Sequence, residues 1–207
     1  MRISINSEGG KKALLNTNVQ PIWDEAQIGT TSNATQFLFQ TGQSTRSLAQ
    51  TNLALPGQIS APDYFILRGF MLGLMPKSAA AAGYVVTSDN LQDIADWQRW
   101  LWQCIFRFTV NSTNSPVAYG HAALFPAGIG LDGMVTTGGA TSANLSYIAG
   151  NGQRQMTNRF SLGPDYAELL QAGEQFRGSF EYPVACSFSN SFSVRPYLTG
   201  FWAQAVR

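Results

Sequence analysis

Trp102-Gln103-Cys104-Ile105-Phe106-Arg107-Phe108-Thr109-Val110 is the stretch from which the fold of this chain can be read. Trp102, Cys104, Phe106, Phe108 and Val110 fall on one parity. Gln103, Arg107 and Thr109 fall on the other, with Ile105 the one apolar exception. A period of two puts large apolar groups on one face of a pleated strand and polar groups on the opposite face. The segment is therefore predicted to be a half-buried strand of an antiparallel sheet, with Trp102 in the core. Cys104, on the apolar parity, is expected to pack as a small hydrophobe.

The pattern extends in both directions. Just upstream, Ser88 or Asp89 can cap a short helix over residues 90–99, in which Leu91, Ile94, Trp97 and Leu101 follow helical spacing. Asp89 and Asp93 lie near its positive end, where carboxylates are favourable. Asp63 to Met75 reads as a long strand with apolar residues on both parities, and Gly69 and Gly73 point to a bulge or close packing. Thr35–Thr41 is a short strand, and Pro56-Gly57 marks a turn.

Downstream, Pro116 to Phe125 reads as a strand, and 127–152 as an extended Gly/Ser/Thr/Ala loop. Arg154–Leu162 is a strand candidate, and Pro164 to Leu170 a helical turn with proline at its first position. Gln175–Tyr182 alternates clearly, with Phe176, Phe180 and Tyr182 inward; Val184–Phe188 and Phe192–Trp202 complete the set. About eight strands with turn signals between them, and no internal repeat, predict an all-β fold. The expected architecture is a single jelly-roll sandwich of two antiparallel sheets with one or two short helices. An immunoglobulin-like sandwich would usually be shorter and would lack the helix before Trp100.

At 207 residues the chain fits one domain. Residues 35–207 are expected to form the sandwich. Residues 1–34, polar and without sustained periodicity, are expected to form an extended N-terminal arm anchored at Pro21-Ile22-Trp23. The chain is 44% hydrophobic and only 12% charged, against roughly 25% charged in a typical soluble domain. Ser, Thr, Asn, Gln and Gly supply the polarity, which suits a surface that packs against copies of itself. A net charge of +1 and a pI near 7.8 exclude a global field that would pull the protein onto nucleic acid or anionic lipid. Cys104 and Cys186 do not make a disulfide framework; they are read as free thiols, with a buried bridge as the alternative. The first ten residues lack the apolar core of a signal peptide, and the run Tyr64 to Met75 is broken by Arg68 and too short to span a bilayer.

Residues that could carry chemistry are few. Gly128-Ile-Gly-Leu-Asp-Gly133 matches the dinucleotide fingerprint, but that motif needs a helix after it to hold the pyrophosphate, and Met134–Gly139 is a poor helix. His121 is the only histidine, with no metal-ligand spacing and no Gly-x-Ser-x-Gly elbow to work with. Asp93 and Asp96 share a helix face, read as a solvated face, and Glu174 and Glu181 fall on opposite parities. Trp97, Trp100 and Trp102 cluster, but a basic groove for bases is missing beside them. No catalytic, metal or cofactor-binding residue is therefore assigned, and no cofactor is expected. Exposed tryptophans are commonly interface anchors, so Ile22, Trp23, Trp97 and Trp100 are the candidate subunit-interface residues.

Leu53-Ala-Leu-Pro-Gly-Gln-Ile-Ser-Ala-Pro-Asp-Tyr-Phe-Ile-Leu-Arg-Gly69 resembles a stretch in capsid proteins of tailless icosahedral bacteriophages, where a polar segment and a proline-containing turn lead into a long strand early in a jelly roll. The resemblance covers these residues closely and the general run of strands over 35–207. It implies a major capsid subunit, located in the virion and assembled in the host cytoplasm, that packs with copies of itself into an icosahedral shell. A second coat or penton protein and an internal membrane are further partners that it brings into view; sequence-specific nucleic acid is not one. The Gly-rich region 127–152 matches no element of that family. A carbohydrate-binding sandwich, such as a phage receptor-binding or lectin-like module using Trp97, Trp100 or loop 127–152, is the alternative. A jelly-roll enzyme is disfavoured, because cupin-like sites need several histidines or carboxylates.

Overall fold

A computed structural model of the chain describes residues 2–6, 12–40, 42–48, 50–75, 88–111, 116–125, 132–135, 146–149, 160–163 and 167–205. Ahead of the predicted helix lie β1 (Arg2–Asn6), β2 (Lys12–Asn18), β3 (Ile22–Trp23), β4 (Ala26–Ile28), β5 (Thr31–Ser32), β6 (Gln36–Leu38) and β7 (Asp63–Met75). Helix α1 (Ser88–Gln103) comes next, followed by β8 (Ile105–Val110), β9 (Ala118–His121), β10 (Asp132–Val135) and β11 (Ser146–Ala149). The remaining strands are β12 (Phe160–Ser161), β13 (Glu168–Leu170), β14 (Phe176–Glu181), β15 (Cys186–Ser187) and β16 (Phe192–Ala205). The protein is an all-β sandwich of antiparallel sheets.

One sheet is built on β7 and β16, which pair antiparallel along nearly their whole length. The other edge of β16 takes β4, β3 and β2 in succession, and β2 carries β1. The other edge of β7 takes β12 and β13. The second sheet runs β6-β14-β8-β9. With β3 and β4 counted as the first strand, β12 and β13 as the sixth, and β1 and β2 set aside as an extension of the large sheet's edge, the two sheets reduce to eight strands. First then pairs with eighth (β16), second (β6) with seventh (β14), third (β7) with sixth, and fourth (β8) with fifth (β9).

The mixed parity of β7 has a local cause. Thr199 pairs with Gly69 and Gly200 with Leu67, so Arg68 is one extra residue on β7. This bulge resets the alternation. Phe65 and Leu67 before it, and Phe70, Leu72 and Leu74 after it, all enter the core. Gly200 is needed opposite, because a Cβ there would strike the Ile66 carbonyl oxygen.

Aromatic rings fill the space between the sheets. Phe70 of β7 meets Phe108 at 5.1 Å, Phe106 at 5.7 Å and Phe125 at 6.1 Å between ring centroids. Phe39, just past β6, lies edge-on to Phe108 and Phe176. Helix α1 closes one end of the sandwich. Trp97 stacks on Trp100 at 5.1 Å, and Trp100 stands edge-on to Phe180 of one sheet and Phe192 of the other. Its indole N–H donates to the Tyr182 hydroxyl at 3.0 Å, so the buried donor is satisfied.

Several expectations change. The helix runs on to Gln103 and the strand begins at Ile105, so Trp102 belongs to the last helical turn. It lies about 200° around the helix from Trp100, and is 71% exposed rather than in the core. Residues 12–28 are not a free arm: β2, β3 and β4 pair with β16, and Ile22, Ala26 and Ile28 are buried. Within Pro164–Leu170, residues 168–170 form strand β13 on β7 instead of a helical turn, and 164–166 lie outside the described residues. Within loop 127–152, β10 and β11 pair antiparallel, and the remaining residues of that loop lie outside the described ones.

Phe70→Ala should lower the unfolding free energy by about 3–5 kcal/mol, because it leaves a cavity among four rings. Trp102→Ala should change it by no more than about 0.5 kcal/mol. Chemical denaturation of the two variants measures both; similar losses would place Trp102 in the core after all.

Candidate functional site

Of the four candidate interface residues, three have no surface to offer. Ile22 and Trp100 are fully buried and Trp97 is 5% exposed, all within the core cluster. Trp23 is half-buried and tied to its own chain. Its backbone N–H donates to Asn52 Oδ1 at 2.9 Å and its indole N–H to the Leu48 carbonyl at 3.2 Å. These residues anchor β3 and α1 to the sandwich. His121 stands exposed at the end of β9. Asp132 and Gly133 open strand β10, not a helix, so the glycine motif lacks the element that holds a pyrophosphate; 128–131 lie outside the described residues.

Two carboxylates are buried: Asp96, expected on a solvated helix face, and Asp24. Asp96 accepts the backbone N–H groups of Ser189 and Asn190 with one oxygen, each at 3.0 Å, which fixes α1 to the turn before β16. Arg99 donates to the Ser187 carbonyl at 3.2 Å in support. Asp24 accepts the Phe39 N–H and an Arg46 N–H, both at 2.6 Å. Burial pushes the Asp24 carboxyl above its usual 3.8, against the lowering effects of the Phe39 N–H and the Arg46 guanidinium. Arg46 also donates to the Glu25 carbonyl at 2.9 Å. Asp24 is thus the node that joins the β3–β4 turn to the chain after β6. The sequence held a signal for it: Ile22, Asp24, Ala26 and Ile28 alternate, and the aspartate hides the period.

Cys104 and Cys186 are buried free thiols. Burial pushes the Cys104 thiol well up, with Cys186 nearby adding to it, and burial raises the Cys186 thiol as well. Raised thiols are poor nucleophiles at neutral pH, so they act as packing groups. Glu174 accepts from Asn111 Nδ2 and the Gln171 N–H, both at 2.8 Å, and Glu181 meets Arg107; the two serve separate loop and sheet contacts.

Two features were not legible beforehand. The first is the outer face of the small sheet, where register aligns Phe37, Ser179, Arg107 and Tyr119 in one row across four strands. The Arg107 guanidinium lies over Tyr119 and the Arg177 guanidinium over Phe37, each 5.0 Å from the ring centroid. Both rings remain 54% exposed. Glu181 holds the row together, 3.2 Å from Arg107 Nε and accepting from Ser179 Oγ at 3.1 Å. The second is a pocket of about 520 Å³, lined mainly by residues with polar side chains, at the end of the sandwich away from α1 and bounded by β2, β16, β7 and the 52–60 segment. Neither presents a nucleophile–base pair, and among the described residues no group of three or more His, Cys, Asp or Glu is placed to hold a metal ion. No family model, curated protein or solved structure matches the chain.

Arg46→Ala should lower stability at neutral pH by about 1–3 kcal/mol, less than for a fully buried pair because the arginine is partly exposed. The folded state holds a proton on Asp24 more readily than the unfolded chain does. The stability that this group contributes therefore falls as pH rises from 3.8 through the raised value, and is level above it. Below that window Asp24 is neutral and the loss from Arg46→Ala should shrink. Urea denaturation of both proteins at a series of pH values checks this; a pH-independent difference would remove Asp24 from the account.

Proposed function

We propose that the chain is a coat subunit of a virion, a single jelly roll that self-assembles with copies of itself into an icosahedral shell. The observation that carries this reading is the nested pairing of β3/β4 with β16, β6 with β14, β7 with β12/β13, and β8 with β9. That order is what a jelly roll requires, and jelly rolls serve as viral coat subunits, lectins and cupins. The resemblance of residues 53–69 to phage capsid proteins favours the first of these. A cupin-like site takes several metal ligands from the barrel interior. Here phenylalanines fill the space between the sheets and the single histidine is exposed, so we read the chain as a non-enzyme.

A coat subunit acts through surfaces, and two suit the task. The row Phe37–Ser179–Arg107–Tyr119 presents aromatic and arginine groups, the types that interfaces concentrate. The β1–β2 hairpin extends the large sheet at its edge, where a neighbouring chain can add by strand pairing. Low surface charge keeps repulsion between copies small, and repetition lets weak contacts add. A penton or second coat protein and an underlying membrane are the further partners that this reading admits.

Electron microscopy and analytical ultracentrifugation of the purified chain should find regular particles or capsomers that grow with concentration. A strict monomer at high concentration would sink the proposal. Arg177→Glu should suppress assembly while leaving the thermal midpoint unchanged, and so should deletion of residues 1–11, which removes the edge strand β1 and keeps the β2–β16 ladder.

A further inference from the structure

We propose that the pocket at the open end of the sandwich binds a neutral saccharide, with the Trp202 indole as its stacking platform and Asp63, Gln204, Gln58, Ser60 and Asn18 as partners for the sugar hydroxyls.

Its placement follows from strand length. β7 has 13 residues and β16 has 14, whereas β8 and β14 have 6 each. At roughly 3.3 Å per residue the long pair outruns the short sheet by about 25 Å in all. The inward face of the overhang has no opposite sheet to pack on, and its residue types change accordingly. Towards α1 that face carries Phe192, Val194 and Leu198; at the far end it carries Trp202 and Gln204, opposite Phe65 and Asp63. Trp202 also pairs with Asn18 of β2. The 52–60 segment then folds over this end and encloses the space.

The chemistry of the wall selects the ligand. Among the described residues that line the pocket, one aromatic ring is surrounded by amides, hydroxyls and a single carboxylate, with no lysine or arginine. A phosphate or nucleotide would find no counter-charge there, and a purely apolar ligand would strand the amides. A neutral sugar meets both demands: its C–H face covers an indole, and its hydroxyls both donate and accept. Asp63 is prepared for this. Its Oδ1 accepts from Gln204 Nε2 at 2.6 Å, which orients the carboxylate and leaves Oδ2 as an acceptor for a hydroxyl. Trp202 is held edge-on to Phe65 at 5.4 Å. Its indole N–H is buried and has no hydrogen-bond partner among the described residues. A donor buried without a partner is unfavourable and marks a place where a ligand oxygen or water belongs. The volume of about 520 Å³ has room for a mono- or disaccharide.

The site does not depend on the coat reading, since a monomer would carry it equally. The test titrates the full chain with glucose, galactose, mannose, N-acetylglucosamine and their disaccharides, by saturation-transfer NMR and calorimetry. Glucose 6-phosphate serves as the anionic control. Saturable binding near the millimolar range is expected for at least one neutral sugar. Asp63→Asn and Gln58→Ala should each weaken it about tenfold with an unchanged thermal midpoint. Trp202→Phe, which keeps an aromatic ring against Phe65 but removes the N–H, should weaken it as well. Absence of saturable binding to every neutral sugar would overturn the proposal, as would binding indifferent to Asp63→Asn and Gln58→Ala, or equal affinity for the sugar phosphate.

Discussion

The antiparallel ladder between β7 and β16 is the constraint on which the rest of the molecule depends. Each strand of the large sheet is placed by it: β2, β3 and β4 line up along one edge, and β12 and β13 along the other. A ladder this long would turn the wrong face inward over part of its length if its alternation ran against the hydrophobic pattern. The extra residue Arg68 prevents that. It lets Phe65 and Phe70, which differ in parity, enter the same core. Gly69 and Gly200 make the close approach feasible, since a Cβ at either position would collide with a carbonyl oxygen, of Phe160 and Ile66 respectively.

From that ladder follows the difference between the two ends of the sandwich. At the Phe192 end, α1 inserts Trp97 and Trp100 between the sheets, and Asp96 and Arg99 pin the helix to the backbone of residues 187–190. The helix closes that end. At the Trp202 end no helix intervenes among the described residues; the Pro56-Gly57 turn is tied to the core instead. Gly57 donates to the Phe39 carbonyl at 2.6 Å, and its own carbonyl accepts the Phe176 N–H at 2.8 Å. Its left-handed φ of 57° is accessible to glycine without strain. The segment thus closes the hydrophobic layer while leaving a polar space beyond it.

Much of this was legible in the sequence, and the failures have definite causes. Period-two patterns located β8 and β14, and the apolar run from Asp63 to Met75 located β7. The Trp102–Val110 reading overran at its start because tryptophans at 100 and 102 keep strand parity by coincidence, while 97, 100 and 101 keep helical spacing. Only packing decides between them: stacking of Trp97 on Trp100 selects the helix and turns Trp102 out to solvent. Asp24 concealed the alternation of Ile22–Ile28, because a carboxylate reads as surface until its partners, Phe39 N–H and Arg46, are known. The pocket was out of reach for a different reason. Asn18, Gln58, Asp63 and Trp202 are ordinary residues far apart in the chain, and only strand register brings them together.

The pocket and the sheet edge share β2, and that has a thermodynamic consequence. Thr17 and Asn18 line the pocket, while the same strand carries β1 at the margin of the large sheet. On the proposed readings, a neighbouring chain that added to this edge would restrain β2, and a sugar in the pocket would restrain it from the other side. Two binding events that order the same element favour each other, and by linkage each changes the affinity of the other by the same factor. A shell subunit built this way would bind its ligand more tightly in the assembled particle than as a free chain, because assembly has already met the entropic cost of holding β2 in place.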